Sequence, residues 1–513
     1  MYEEQNHIIH LAKGRLAPDS STSGEDIHRI VARALESKSP SGIVLHFHGG
    51  LVSQKGARET ARERLYPLYA QRSQAYPIFF VWESGFIEVV RNNLQEIVRE
   101  SLFQQFVRKA AEWLLKSLPV GAGFKGGGGV LIDEDKLRRD FNDWFNGKRS
   151  TPPEQLEPVP GLGKAATRTA TRSAVLNEQK LEDNITDSIE GDDDFRHAVQ
   201  AVQNGLLPAG AERPTTRGGG PQVSENSLIS EEASERLFER RKATTTKGFS
   251  PIAWWKIGKA VTAIVKRSLG RFKGGRDHGM YVTLVEETLR ELYVDKLGRT
   301  IWWERMKQDT ADAFHDGKVY GGTAFLYELK SQLQNVSTIP KIALIGHSAG
   351  AIFVCNFLKA AYHWLPQLQF DVIFEAPAVS HKILADAIHG QRSQIRCFRQ
   401  FGMSDALEST DRLLPLIYIS SLLYFVSGLL EEEPDEPLAG MERFLSDDEI
   451  YSDASFPDIA ACRRFYARYP HSLIWSVSDA GDGRNCDSHR HGDFDDRDEQ
   501  TMKSVQHILQ HGY

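Results

Sequence analysis

The residues with the clearest chemistry stand at Gly346-His347-Ser348-Ala349-Gly350. This G-x-S-x-G pattern follows the apolar run Lys341–Gly346 and precedes a helical pattern at Ala351–Ala361. A serine on a sharp strand-to-helix turn holds its hydroxyl above the sheet, and glycines two before and two after let strand and helix meet without a Cβ clash. The same turn aims a helix amino terminus and the Ala349 N–H at any developing negative charge. Ser348 is therefore the candidate nucleophile. A second turn, His46-Phe47-His48-Gly49-Gly50-Leu51, follows the apolar run Gly42–Phe47. Residues without side chains there can present a backbone N–H to an oxyanion, and Gly50 or Leu51 is the candidate donor.

These turns need a scaffold. Buried-strand patterns occur at Gly42–Phe47, Tyr76–Trp82, Lys341–Gly346, Phe370–Glu375, Ile395–Met403 and Leu473–Val477. Helical patterns separate them at Ala57–Tyr69, Ile87–Leu118, Val282–Val294, Thr323–Gln334, Ala351–Ala361 and Leu413–Leu430. Short apolar runs alternating with helices predict an α/β fold, a mostly parallel sheet with helices on both faces. The spacing divides the chain into an amino-terminal segment 1–39, a first core part 40–120, an insertion 121–274 and a second core part 275–513. Most of the insertion is rich in Gly, Pro, Thr and Arg, a composition that predicts mobility around two or three short helices. Gly121, Gly123 and Gly126 match G-x-G-x-x-G but follow a helix, so they read as linker and not as a dinucleotide site.

The two glycine turns together resemble the α/β-hydrolase superfamily of esterases and lipases, over roughly residues 40–118 and 281–513. The resemblance implies a Ser–acid–His triad in chain order. Asp405, after the Ile395–Met403 strand, is the expected acid, with Glu375 the runner-up and Asp411 third. His491, in a His-Gly turn before the terminal helical pattern Gln500–Leu509, is expected as the base, ahead of His489. The expected activity is hydrolysis of carboxylic esters, lipid esters among them, without a cofactor. A thioesterase or peptidase would use the same triad, and a hydrolase-fold interaction protein would use none of it.

Other classes fit less well. His46-x-His48 and His489-x-His491, with Asp487, Asp493, Asp495 and Asp496, offer metal-ligand types, but no helical H-E-x-x-H spacing, and no metal is expected. The 513 residues carry 62 Lys+Arg against 69 Asp+Glu, a net charge of −7 that gives no footprint for nucleic acid. Cys355, Cys397, Cys462 and Cys486 lie far apart, so no disulfide framework is expected. The amino terminus lacks a basic start and an apolar run, which predicts no secretory signal and a cytoplasmic protein. Leu413–Leu430 is uncharged but interrupted by Pro415 and Gly428, and reads as a buried or pocket-lining helix and not a span. Ile252–Phe272 is a basic amphipathic helix with Trp254-Trp255; core packing is its plainer role, and peripheral membrane contact its alternative. Its stripe is Ile257, Val261, Ile264, Val265, Leu269 and Phe272, with Lys256, Lys259, Lys266, Arg267 and Arg271 expected in solvent.

Overall fold

A computed structural model of the protein describes residues 2–16, 22–50, 52–82, 87–117, 178–205, 228–238, 253–293, 299–414, 418–446, 449–495 and 497–513, with positions 139, 143 and 148. Its centre is a seven-stranded sheet of β1 (Ile8–Leu11), β2 (Ile43–Phe47), β3 (Tyr76–Trp82), β4 (Ile342–His347), β5 (Phe370–Glu375), β6 (Ile395–Met403) and β7 (Leu473–Ser476). The order is β1-β3-β2-β4-β5-β6-β7, and every neighbouring pair is parallel. Alternate residues of each strand enter two separate cores. Ile43, Leu45, Phe47, Leu344 and Phe374 face one core, covered by the helices Gly24–Glu36, Gly321–Leu333, Gly350–Trp364 and His381–Gln391. Val44, Val81, Ala343, Ile345 and Phe401 face the other, covered by Gln54–Arg72 and Glu499–His511. Burial on both sides is why the strands read as continuous apolar runs.

The topology also selects a place for a site. From β2 the chain passes to β3 on one side, whereas from β4 it passes to β5 on the other. The carboxyl ends of β2 and β4 therefore border the crevice where parallel α/β sheets bind ligands. Both glycine turns leave the sheet at those two ends.

Between β3 and β4 a helical layer is built from Ser101–Ser117, Glu178–Glu190, Asp193–Gly205, Trp254–Gly274 and Met280–Leu292. The six predicted stripe residues of Trp254–Gly274 are all buried. At roughly 1.5–3 kcal/mol for each fully buried aliphatic or aromatic side chain, this face is the helix's main anchor. Trp255 stays exposed.

Several expectations are corrected. Arg271 does not face solvent; it is buried against Glu286 (2.7 Å) and Glu287 (3.2 Å) of Met280–Leu292. Ile87–Leu118 is two helices, Ile87–Arg99 and Ser101–Ser117, separated at Glu100. Leu413–Leu430 is not one helix: Leu414 bridges to Tyr418, and a short helical stretch runs only from Leu422 to Leu430, started by the Ser421 hydroxyl accepting from the Tyr424 N–H. No helix among the described residues is long and apolar enough to cross a membrane. β1 and the helix Gly24–Glu36 are elements that the sequence reading did not identify. Gly121, Gly123 and Gly126 lie outside the described residues. All four cysteines are free thiols.

Candidate active site

Ser348 lies between β4 and the helix Gly350–Trp364 with a backbone φ of +53°. A non-glycine residue in the left-handed region is strained and persists only where its surroundings enforce it. Here the Ser348 N–H donates to the Glu375 carbonyl (2.8 Å), and the Ser348 carbonyl accepts from the Ala378 N–H (3.0 Å). The flanking glycines are required sterically. A Cβ on Gly350 would lie 2.0 Å from the Phe47 carbonyl oxygen, and one on Gly346 would lie 2.9 Å from the Ala351 nitrogen.

The two turns abut. A Cβ on Gly49 would stand 3.1 Å from the Ser348 Cβ, and one on Gly50 would stand 3.0 Å from the Ala349 Cβ and 2.2 Å from the Met306 sulfur. Gly50 and Ala349 thus bring two backbone segments to one spot beside the serine. Leu51, the other expected donor, lies outside the described residues.

His491 comes from the far end of the chain. Its Nε2 is 2.8 Å from the Ser348 Oγ, and both side chains are buried. Burial, reinforced by the neighbouring His347 charge, lowers its pKa to about 3, so the ring is neutral and Nε2 can accept the serine proton. His489, the alternative base, is exposed and pairs with Asp487 (3.2 Å).

The acid is where expectation and structure part. The Asp405 carboxylate accepts the Tyr424 hydroxyl (2.6 Å), and its N–H donates to Glu442 (2.9 Å); no hydrogen bond or ion pair among the described residues joins it to His491. Tyr424, held 3.3 Å from the Arg443 guanidinium, claims the group. Among the described residues no hydrogen bond or ion pair joins the Glu375 carboxyl to His491 either. Its carboxyl is buried with Oε2 lacking a partner, and desolvation, with the Asp495 charge adding, raises its pKa to about 8. Asp411 is the carboxylate at His491: its Oδ2 accepts the His491 backbone N–H at 2.9 Å. The His491 Nδ1 is buried without a partner, in the same residue that Asp411 already holds.

A second histidine supports this arrangement, and the sequence reading assigned it no role. The His347 ring stacks on that of His491 at 5.6 Å between centroids, and its Nε2 lies 3.2 Å from the His491 carbonyl oxygen. Its Nδ1 is 3.1 Å from the Asp495 carboxylate. Burial alone would lower the His347 pKa, but Asp495 raises it to about 9. The same pairing takes Asp495 to about 2 despite its own burial. A His347 cation thus donates to the backbone of the base. The second residue of G-x-S-x-G, one position before the serine, was the signal available for it.

Among the described residues the metal-ligand types do not converge, and Asp496 lies outside them. His46 Nδ1 bonds the Tyr69 hydroxyl (3.0 Å), and His48 is used at both nitrogens, by the Gly49 carbonyl (2.7 Å) and the Trp82 N–H (3.1 Å). Among the described residues no group of three or more His, Cys, Asp or Glu side chains is arranged to hold a metal ion. Ser348 and His491 instead open onto a cavity of about 710 Å³, within the range of small-molecule sites. Searched against protein-family models, curated proteins and solved structures, the chain matches none.

Proposed function

We propose that the protein is a serine hydrolase of α/β-hydrolase type that cleaves carboxylic esters, lipid esters among them, through an acyl-enzyme on Ser348. The observation carrying this reading is a serine at φ +53° whose Oγ lies 2.8 Å from the Nε2 of a neutral, buried histidine. A nucleophile within hydrogen-bond reach of a base that is in turn oriented by a third group is the signature of covalent acyl transfer. His491 takes the Ser348 proton as Oγ attacks the ester carbonyl, then returns it to the leaving alcohol. Water, deprotonated by the same nitrogen, releases the acid. The N–H groups of Ala349 and of the Gly50 turn stabilise the oxyanion.

In this reading Asp411, not Asp405, is the acidic partner of the imidazolium. Catalytic hydrogen bonds are often loose without substrate and tighten in the complex. The Asp411 carboxylate already holds the His491 backbone N–H at 2.9 Å, and the His491 Nδ1 has no other partner among the described residues. Assay of a panel of esters, thioesters and peptides tests the proposal. Ester turnover falling by about 10³-fold or more in Ser348→Ala supports it. Turnover of thioesters or peptides alone would move the reaction to those classes, and equal turnover by both chains would remove the serine from the chemistry.

A further inference from the structure

His491 sits on a loop between the short strand Asn485–Cys486 and the helix Glu499–His511, so its place depends on the side chains that tie this loop down. One tie lies at the helix end. Asp498 accepts the Gln500 N–H, the Asp487 N–H and the Ser488 hydroxyl, each at 2.8 Å. The others act at His491 itself: Asp411 accepts its N–H (2.9 Å), and the His347 Nε2 lies 3.2 Å from its carbonyl oxygen. His347 is the last residue of β4, and Ser348 follows it directly. The side chain at the backbone of the base is therefore one residue from the nucleophile, and it helps set the 2.8 Å between Ser348 Oγ and His491 Nε2. His347 suits this task in one protonation state. Its Nδ1 faces the Asp495 carboxylate at 3.1 Å and its Nε2 faces a carbonyl, and neither oxygen has a proton to give. A neutral imidazole has one N–H and would turn a lone pair on one of these oxygens, whereas the imidazolium has an N–H for each. Asp495 belongs to the same loop, so the cation meets that loop at positions 491 and 495, and all three side chains are buried.

We infer that His347 is a positioning residue for the base: as a cation paired with Asp495 it clamps the His491 loop to the nucleophile turn, and loss of its proton releases the clamp. The inference rests on the ester-hydrolase reading and adds to it the group that sets its alkaline limit. Other titratable groups face His347 from the elements around it. They are Glu375, opposite it on β5, His46 on β2, His48 in the turn after β2, and His491. Burial lowers His46, His48 and His491 to about 3, 4 and 3, so these rings stay neutral above pH 5. Burial acts on His347 in the same direction, but the Asp495 carboxylate overrides it and takes the pKa up to about 9. The clamp is thus closed at neutral pH and opens as pH rises through that value. Glu375, raised to about 8 by burial, titrates nearby and has to be told apart.

The test follows p-nitrophenyl butyrate cleavage by the full chain from pH 5 to 10, with kcat and KM fitted at each pH. Wild-type kcat is expected to fall above pH 8 through a midpoint near 9, with KM nearly constant. His347→Asn keeps an amide toward Asp495 but no donor at the His491 carbonyl. It is expected to lower kcat at pH 7 by about 10- to 100-fold, the cost of a base about 1 Å out of place. His347→Gln, whose amide nitrogen reaches the Nε2 position, is expected to recover much of that loss and to lack the limb near pH 9. A wild-type kcat that stays level to pH 10 overturns the inference, as does a His347→Asn kcat equal to that of wild type. A limb that survives in His347→Gln and vanishes in Glu375→Gln belongs to Glu375 and also overturns it. If His347→Asn does not fold, the wild-type limb and its fate in His347→Gln decide. If no ester is cleaved, the hydrolase reading fails by itself, and amide hydrogen exchange of residues 487–498, read by mass spectrometry, decides the clamp. Exchange at least about 10-fold faster in His347→Asn than in wild type at pH 7, or in wild type at pH 10 after correction for the intrinsic rate, keeps it. Equal protection in all of these removes it.

Discussion

In its proposed role as base His491 must be neutral, and its burial sets the pH range in which that holds. With a pKa near 3, the ring stays unprotonated where an ordinary histidine, near 6.5, is charged. Ester kcat/KM is therefore expected to stay level from pH 8 down to 5; an acid limb centred near 6.5 in a pH–rate profile would contradict this. The acid assignment gives a second prediction. Asp411→Asn should lower kcat by about 10²–10⁴ if, as proposed, Asp411 is the acidic partner of the imidazolium. Asp405→Asn should change stability more than kcat, since it alters only the Tyr424 contact. Kinetics of the two variants side by side separate them. Glu375 bears on stability. Its folded-state pKa of about 8 lies above the ordinary 4.5, so between those values the folded chain holds a proton that the unfolded chain releases, and stability falls as pH rises. The melting temperature of Glu375→Gln relative to wild type should thus climb from pH 4.5 to 8. Ser348 was legible from its local turn, and His491 from the family resemblance alone. The placing of the carboxylates was not legible: both Asp405 and Asp411 follow β6, and only the fold puts the Tyr424 hydroxyl on Asp405 and the His491 N–H on Asp411.

At the scale of elements, the site depends on how closely the helix Gly350–Trp364 approaches β2. A methyl on Gly350 would press on the Phe47 carbonyl at 2.0 Å, backbone that cannot move without shifting the turn before Gly49-Gly50. Gly350→Ala is expected to cost about 3 kcal/mol in denaturant unfolding and to lower ester turnover in the fraction still folded. Unchanged stability would show that the two turns are not packed as described. Most strands were readable as apolar runs because the sheet is covered on both faces. β1 was not, since Ile8–Leu11 is four residues long with a histidine inside it, and only its pairing with β3 makes it a strand. The break at Glu100 was hidden for a related reason. Its carboxylate accepts the Leu228 N–H (2.6 Å) and the Tyr293 hydroxyl (2.8 Å), partners more than a hundred residues away.

Across the whole molecule, the helical layer and the segment after β6 are joined by buried charge. His278 lies between Glu286 (2.8 Å) and Asp435 (3.1 Å), Arg276 and Arg443 reach the same Asp435 (2.8 and 3.5 Å), and Tyr418 donates to Glu286 (2.5 Å). Arg443 also touches Tyr424, the residue that holds Asp405. Removing one member of a buried ionic network leaves its partners desolvated and unmatched. Asp435→Ala is expected to cost about 3–5 kcal/mol by chemical denaturation, whereas a loss below about 1 kcal/mol would mean that the network does not hold the layers together. Periodicity showed which face of Trp254–Gly274 is apolar, but it could not reveal that Arg271 on that helix meets carboxylates of the next. The central claim, that Ser348 is an activated nucleophile, is tested most directly on the intact chain. Mass spectrometry after treatment with a fluorophosphonate is expected to show a single adduct, mapped to Ser348, absent from Ser348→Ala and strongly slowed in His491→Ala. A folded wild-type chain that takes no adduct at Ser348 would contradict the account.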